Sequence, residues 1–324
     1  MSSETSKESN SRRLARTWPY PRHNDFVRLL REAATVWFKD HRYVTNDQMS
    51  YCLDKWENWR HNIIIPEVAR YIAETKKECN GQSKPFPLHK YVHHGLSSQA
   101  MCFNLLGPLV VQGDLSPLKI ACESAGVNWP ADIADPQFEY EKRDVFKEDA
   151  GQPTSIDFVM KDRTGTPRIF IECKLVEQEF GGCSVFAAGD CDGRNPVGDY
   201  SGCYLHYIGR RYWELLEKHG FIPSMKTERQ CVLAIHYQFF RELIFSLEHD
   251  GVFILLSDER SPVFHCKGNG TPRGIMPFLT QFVPDAARLR IASISIQSLL
   301  ESIKVVGSYA WVSEFEKKYG LGTS

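Results

Sequence analysis

The chain has 324 residues, 42% of them hydrophobic and 24% charged, with a formal net charge of −1 at pH 7. That length supports one large domain or two ordinary ones, and the composition excludes collagen-like, wholly disordered and coiled-coil classes. No apolar run reaches the ~20 residues of a membrane helix, and the opening MSSETSKESNSRRLAR lacks the apolar core of a secretory signal. The expected location is therefore the cytoplasm, with no membrane partner. A net charge near zero provides no general affinity for nucleic acid, so an enzyme acting on it must gather its basic groups on one face.

In chain order, residues 1–17 are polar and charged with a single large hydrophobe, and read as a disordered tail. Residues 18–88 read as a helical N-terminal region. Its first helix, near 25–41, carries Phe26, Leu29, Leu30, Ala33, Val36 and Trp37 at helical spacing. A second is expected from Asn46 or Asp47 through Met49, Leu53, Trp56 and Trp59. A third starts at Pro66 and stops before Gly81, and Lys84-Pro-Phe-Pro follows as a linker. Residues 89–324 read as one α/β domain, a central mixed sheet flanked by helices. It opens with helices near 97–107 and 117–125, then strands near 137–146, 154–161 and 168–175. After a Gly- and Asp-rich loop at 181–202 come a helix near 204–219, a strand near 230–237 and a helix with Phe239, Leu243 and Leu247. A strand at 252–256, a short strand near 290–294 and helices near 297–303 and 308–319 close the chain.

The informative stretch is SIDFVMKDRTGTPRIFIECKLVE at 155–177, two strands around a turn in which Gly165 can take a positive φ cheaply. If the hairpin is symmetric about Thr164–Gly165, facing residues have numbers summing to 329, which sets Asp157 opposite Glu172. Facing Cβ atoms lie about 4.5–5.5 Å apart. Two carboxylates that close repel unless a cation lies between them, and a divalent ion with oxygen ligands fits. Lys174 shares the face of Glu172 because strands have period two. The bland alternative is a surface Glu–Lys pair on a strand running out into solvent, but the strand is apolar up to these charges and buried charges need partners or a metal.

Asp157, fourteen residues, then Glu172-Cys173-Lys174 resembles the D…ExK signature of the PD-(D/E)xK nuclease superfamily. Three further blocks resemble a restriction endonuclease branch of it: Ser97-Ser-Gln-Ala-Met-Cys-Phe-Asn104 its helical motif, Phe138-Glu-Tyr-Glu141 its first-strand motif, and Lys174-Leu-Val-Glu177 its extended active-site motif. The match covers about residues 90–240, in the family's order. It implies a restriction-endonuclease-like fold and Mg²⁺-dependent hydrolysis of phosphodiesters, with Mn²⁺ as a substitute and DNA as the substrate, RNA staying open. On this resemblance Asp157 and Glu172 are metal ligands and the Cys173 carbonyl a third. Lys174 orients or activates the attacking water and stabilises charge on the phosphorus oxygens. Glu139 serves a second ion or a bound water, Gln99 orients a ligand or the phosphate, and Glu177 holds Lys174. The plainer roles are a solvated strand residue for Glu139 and a cap or packing group for Gln99. Glu141-Lys-Arg143 departs from the pattern, which has a Gly- or Pro-containing turn there. Double-strand cutting favours a twofold homodimer, because one site per chain cuts one strand. The alternative class is a non-catalytic nucleic-acid-binding or scaffold protein on the same fold, against which the three charges kept together argue.

Ten cysteines in a cytoplasmic chain are reduced thiols or metal ligands. Cys183, Cys191 and Cys203 lie in the long loop, where zinc or an iron–sulfur cluster, completed by Cys231, Cys102 or Cys266, would hold its shape. Their spacing matches no tight CxxC signature, so metal-free loop thiols are the expectation. His89 and His93, at i, i+4 spacing, and His94 have no carboxylate nearby in sequence and read as a basic approach surface with Lys84 and Lys90. Arg210 and Arg211 with Tyr204, Tyr207, Tyr212 and Trp213 suit phosphate contact and base stacking, with half of the rings turned into the core.

Overall fold

A computed structural model of the chain describes residues 22–322, apart from 82–85, 150, 152, 266, 269–270, 273 and 308. The expected tail at 1–17, the start of the linker and Cys266 lie outside the described residues. Four helices lead: α1 (His23–Asp40), α2 (Pro66–Gly81), α3 (Ser98–Gln112) and α4 (Ser116–Ser124). Three antiparallel strands follow, β1 (Ile133–Glu141), β2 (Ser155–Asp162) and β3 (Pro167–Lys174). A long crossover ending in α5 (Val232–Glu248) returns the chain to β4 (Val252–Ser257), parallel to β3. The sheet closes with β5 (Ile291–Ser295), parallel to β4, and the chain ends in α6 (Ile296–Val306) and α7 (Ala310–Tyr319). Sheet order is β1-β2-β3-β4-β5, so the expected mixed sheet between helices is what the chain forms.

The two faces of the sheet have separate cores. Ile169, Ile171 and Cys173 of β3 face one core with Ile254 of β4, shared with Leu30 of α1, Val68 of α2 and Phe103 of α3. Phe170 and Phe253 face the other, against Phe239, Leu243 and Phe245 of α5. Period two therefore carries Glu172 and Lys174 onto the α5 face. The helices of the first face pack closely. Gly107 of α3 lies where an added Cβ would meet Val68 Cγ1 at 2.5 Å. The N- and C-terminal helices are joined through Lys318, which is buried, donates to the Asn62 carbonyl and sits 4.3 Å over the Trp37 ring.

Four expected elements differ. Asn46 caps a turn instead of a helix: its Oδ1 accepts from the Gln48 and Met49 N–H groups, and the chain doubles back so that Asp54 N–H donates to the Val44 carbonyl. Only Trp56–Asn62 is helical there, as a 3₁₀ segment. The helix near 204–219 is broken by Gly209 at φ +79° into Tyr204–Tyr207 and Tyr212–Lys218. Residues 230–237 are largely helix, not strand; a short apolar run does not distinguish the two. From Val232 the run forms the first turn of α5, which is kinked at His236 (φ −122°, ψ 38°). Finally, β1 ends at Glu141 rather than near 146, where Phe146 is buried in a turn.

In an ordinary helix Gly→Ala stabilises by about 1 kcal/mol. At Gly107 the β-branched Val68 has no second rotamer to yield into, so overpacking wins. Gly107→Ala is expected to lower stability by about 1–2 kcal/mol in urea unfolding, whereas Gly81→Ala, the last residue of α2 with open space around it, is expected to be neutral to slightly stabilising.

Candidate active site

Next to the turn the β2–β3 hairpin is one residue out of the expected register, with Lys161 paired to Pro167, and an irregularity between Met160 and Lys161 restores it beyond. Phe158 pairs with Ile171, Val159 with Phe170 and Met160 with Ile169, all summing to 329. Gly165 takes φ +82° in the turn, and Asp162 Oδ1 there accepts from Thr164 and Thr166. One step beyond the last pair, Asp157 Oδ2 accepts the Cys173 N–H at 2.8 Å. On the other side, β1 pairs with β2 at Phe138↔Phe158 and Tyr140↔Ile156, so Glu139 comes level with Asp157. Glu139 has φ +52°, a left-handed conformation costing a non-glycine residue of order 1 kcal/mol, of the kind that clusters at functional sites. Glu139, Asp157 and Glu172 thus form a row of carboxyl groups across three adjacent strands.

Hydrogen bonds fix this row from both ends. Gln99 Nε2, at the start of α3, donates to Glu139 Oε1 at 2.6 Å, and Ser155 Oγ donates to Glu139 Oε2 at 3.3 Å. Gln99 is itself held: its Nε2 donates to the Pro87 carbonyl and its Oε1 accepts the His89 N–H. Ser97 caps α3 by accepting the Ala100 N–H, which sets Gln99 in the first turn. At the other end Lys174 Nζ donates to Glu172 Oε1 at 2.6 Å and to Gln238 Oε1 at 3.0 Å. Gln238 Nε2 donates to Glu172 Oε1 and to Glu242 Oε1, both at 2.7 Å. Glu172 and Lys174 are only 3% and 5% exposed, yet they line a cleft of about 480 Å³ with Gln99, Glu139, Asp157 and Gln238.

Burial dominates the electrostatics. It raises the Glu139 carboxyl to about 8, helped by Glu172 and opposed by the bonds from Gln99 and Ser155. It also holds Asp157 well above the carboxylate range, with Glu172 and Glu139 adding to the effect. Glu242 is raised in the same way by burial and then by Glu172. For Lys174 burial acts against the charge, but Glu172, Glu177, Glu242 and Asp157 outweigh it and hold the ammonium above its ordinary range. The five carboxyl groups Glu139, Asp157, Glu172, Glu177 and Glu242 face two cations, Lys174 and Arg241.

The oxygen donors suit a hard divalent cation in kind; among the described residues no three of these carboxyl groups bring one oxygen each within 4.8 Å of one another, so a bound ion would draw them closer. Glu172 accepts both its hydrogen bonds on Oε1 and Asp157 its one on Oδ2, leaving Glu172 Oε2 and Asp157 Oδ1 without a protein donor among the described residues. Glu242 Oε2 is buried and likewise has no partner.

The structure thus brings together Asp157, Glu172, Lys174, Glu139 and Gln99. The Cys173 thiol turns to the opposite face, against Cys102, and only its backbone borders the site. Glu177 accepts the Leu175 N–H at 2.6 Å instead of bonding Lys174. From sequence, Gln238 stands where a strand is expected to enter a helix and can either reach the site or serve the helix N-terminus; Glu242 was not found. Their i, i+4 spacing, on the helix expected around Phe239, Leu243 and Leu247, was the available signal. His89 lines the cleft, but 89–94 form tight turns rather than a helix. Burial lowers the pKa of His89, His93 and His94, which weakens the basic-surface reading. Tyr212 and Trp213 are core residues, Tyr204 and Tyr207 are exposed, and Arg211 is paired with Glu214.

The loop cysteines approach Cys231: the Cys183 N–H donates to the Ala234 carbonyl and the Cys231 N–H to the Gly193 carbonyl. Among the described residues they do not close into a group with ligand atoms within 4.8 Å of one another. No described helix is long and apolar enough to cross a membrane.

No curated protein and no solved structure matches this chain. A family model does match, over residues 31–320 and therefore across the sheet, the carboxylate row and the helices on both faces; the chain belongs to the family described as Restriction Endonuclease associating with ARP.

Proposed function

We propose that this chain is a metal-dependent DNA endonuclease of the PD-(D/E)xK type, acting in restriction or a related defence. The observation that carries the reading is the row Glu139, Asp157 and Glu172 across three adjacent strands, with Lys174 bonded to Glu172 at the wall of one cleft. Membership of a restriction endonuclease family supports DNA as the substrate. Mg²⁺ bound there would polarise the phosphate and lower the pKa of a bound water.

The residues of the chain would divide the remaining work. Asp157 and Glu172 hold the cation through the oxygens that lack protein donors, with the Cys173 carbonyl as a third ligand. Lys174 Nζ has two acceptors, Glu172 and Gln238, and a third N–H to direct at the attacking water or a non-bridging phosphate oxygen. Gln238 and Glu242 are positioning residues that fix the Lys174 rotamer from α5. Gln99 positions Glu139, which serves a second cation or a water. Cutting both strands calls for two chains related by a twofold axis.

Plasmid cleavage in Mg²⁺, Mn²⁺, Ca²⁺ or EDTA tests the reading. Wild type is expected to cut in Mg²⁺ or Mn²⁺. Lys174→Met, which keeps the side-chain volume, is expected to lose at least about 10³-fold. Asp157→Asn is expected to lose cutting while raising the melting temperature in EDTA, because it removes one of the clustered buried acids. Cutting retained by both variants would overturn the proposal. DNA bound in EDTA without metal-dependent breaks would favour the non-catalytic alternative.

A second expectation concerns pH. Glu139 has its folded pKa raised from 4.5 to about 8, and Asp157 and Glu242 move the same way. Above the unfolded pKa the native state then binds more protons than the unfolded one, so stability falls as pH rises. In EDTA the melting temperature is expected to fall between about pH 5 and about pH 8, and added Mg²⁺ to restore it at the upper end. A melting temperature that rises over this range, with no effect of Mg²⁺, would contradict the buried-acid account.

A further inference from the structure

A second donor set of different chemistry lies outside the carboxylate row. Cys52 and His94 are cross-strand neighbours in an isolated antiparallel bridge, flanked by Leu53 N–H to the His93 carbonyl and Gly95 N–H to the Tyr51 carbonyl. Facing residues in such a pair bring their side chains together. His93 would point away if the chain were extended, but residues 89–94 turn tightly, with Val92 N–H bonded to the His89 carbonyl and His94 N–H to the Tyr91 carbonyl. The two imidazoles consequently lie edge to face with centroids 5.0 Å apart. One thiol and two ring nitrogens end with all three donor atoms within 4.8 Å of one another. His93 Nδ1 is buried and has no hydrogen-bond partner.

We infer that Cys52, His93 and His94 form a zinc site. A thiolate with two imidazoles is a borderline-soft set that selects zinc over the hard cations suited to the carboxylate row. Zinc bonds of about 2.0–2.3 Å hold tetrahedral donors about 3.3–3.8 Å apart, so binding asks for only a small contraction. Burial dominates at both Cys52 and His93, with the negative charges of Asp54 and Glu57 acting on them from nearby. A water would complete the coordination.

The site has a structural task. It fastens the turn that replaces the expected second helix to the 89–95 loop, which Asn62 Nδ2 also grips through the Val92 and His94 carbonyls. That loop carries His89, whose N–H is held by Gln99, the residue that positions Glu139. Zinc there would brace one wall of the cleft. This inference does not depend on the nuclease reading.

Metal analysis of the full chain, dialysed against zinc and then against zinc-free buffer, tests it. About one zinc per chain is expected in wild type and in Asp157→Asn. Cys52→Ser and His94→Gln are each expected to lose at least about tenfold in occupancy, with melting temperatures about 5 °C or more lower in the presence of zinc. Co²⁺ in place of zinc is expected to give a thiolate charge-transfer band in wild type and none in Cys52→Ser. If Cys52→Ser does not fold, His94→Gln, which keeps the thiol, decides through occupancy alone. A zinc-free wild type without a cobalt–thiolate band overturns the inference. So does full occupancy in the folded variants, which would assign the metal to other thiols such as those near Cys231.

Discussion

Three buried or half-buried carboxyl groups on neighbouring strands line one cleft, and a fourth, Glu242 of α5, is tied to them through Gln238. In such surroundings they cannot all ionise without countercharge, and Lys174 with Arg241 supplies too little. Two outcomes satisfy the electrostatics: protons stay on the acids, or divalent cations replace them. The pKa directions describe the first state and the oxygens without protein donors accommodate the second. A chain selected only for stability would have no reason to keep this arrangement, since replacing buried charges by apolar groups is often neutral or stabilising.

The fold serves that constraint from several directions. The β2–β3 hairpin fixes Asp157 relative to Glu172, and the left-handed turn at Glu139 interrupts the edge strand just where a third acid is needed. The parallel crossover brings α5 over the same face, and its i, i+4 pair Gln238 and Glu242 takes hold of Lys174 and Glu172. On the opposite face α3 is buried almost throughout its first three turns, so Gln99 at its N-terminus is rigidly mounted. The N-terminal helices share their core with the sheet, which ties their packing, at Gly107 against Val68 for example, to the position of Gln99.

Much of this was legible in the sequence, for identifiable reasons. Counting residues across the hairpin set Asp157 opposite Glu172, and the pairs Phe158–Ile171 to Met160–Ile169 keep that count. The turn itself is one residue out, and a bulge at Met160/Lys161 makes up the difference. Alternation placed Lys174 on the same face. What local pattern could not provide was tertiary choice. The apolar run at 230–237 suits strand and helix alike; Gln238 and Glu242 lie in the helix expected after it, and nothing local shows that this helix packs over Glu172 and Lys174. Asn46 caps a turn as readily as a helix, so the doubling-back that brings Cys52 beside His93 and His94 was hidden. Glu139 adopts a backbone conformation that no propensity favours, and its direction came from the strand pairing around it.

The central claim is that the carboxylate row exists to hold divalent cations. Mn²⁺ binding to the metal-free chain, followed by electron paramagnetic resonance, tests it most directly. The account expects saturable binding of one or two ions per chain that Mg²⁺ displaces. That binding should be lost in a folded Asp157→Asn/Glu172→Gln double variant and unchanged in Cys52→Ser. Equal binding by the double variant, or none by wild type, would contradict it.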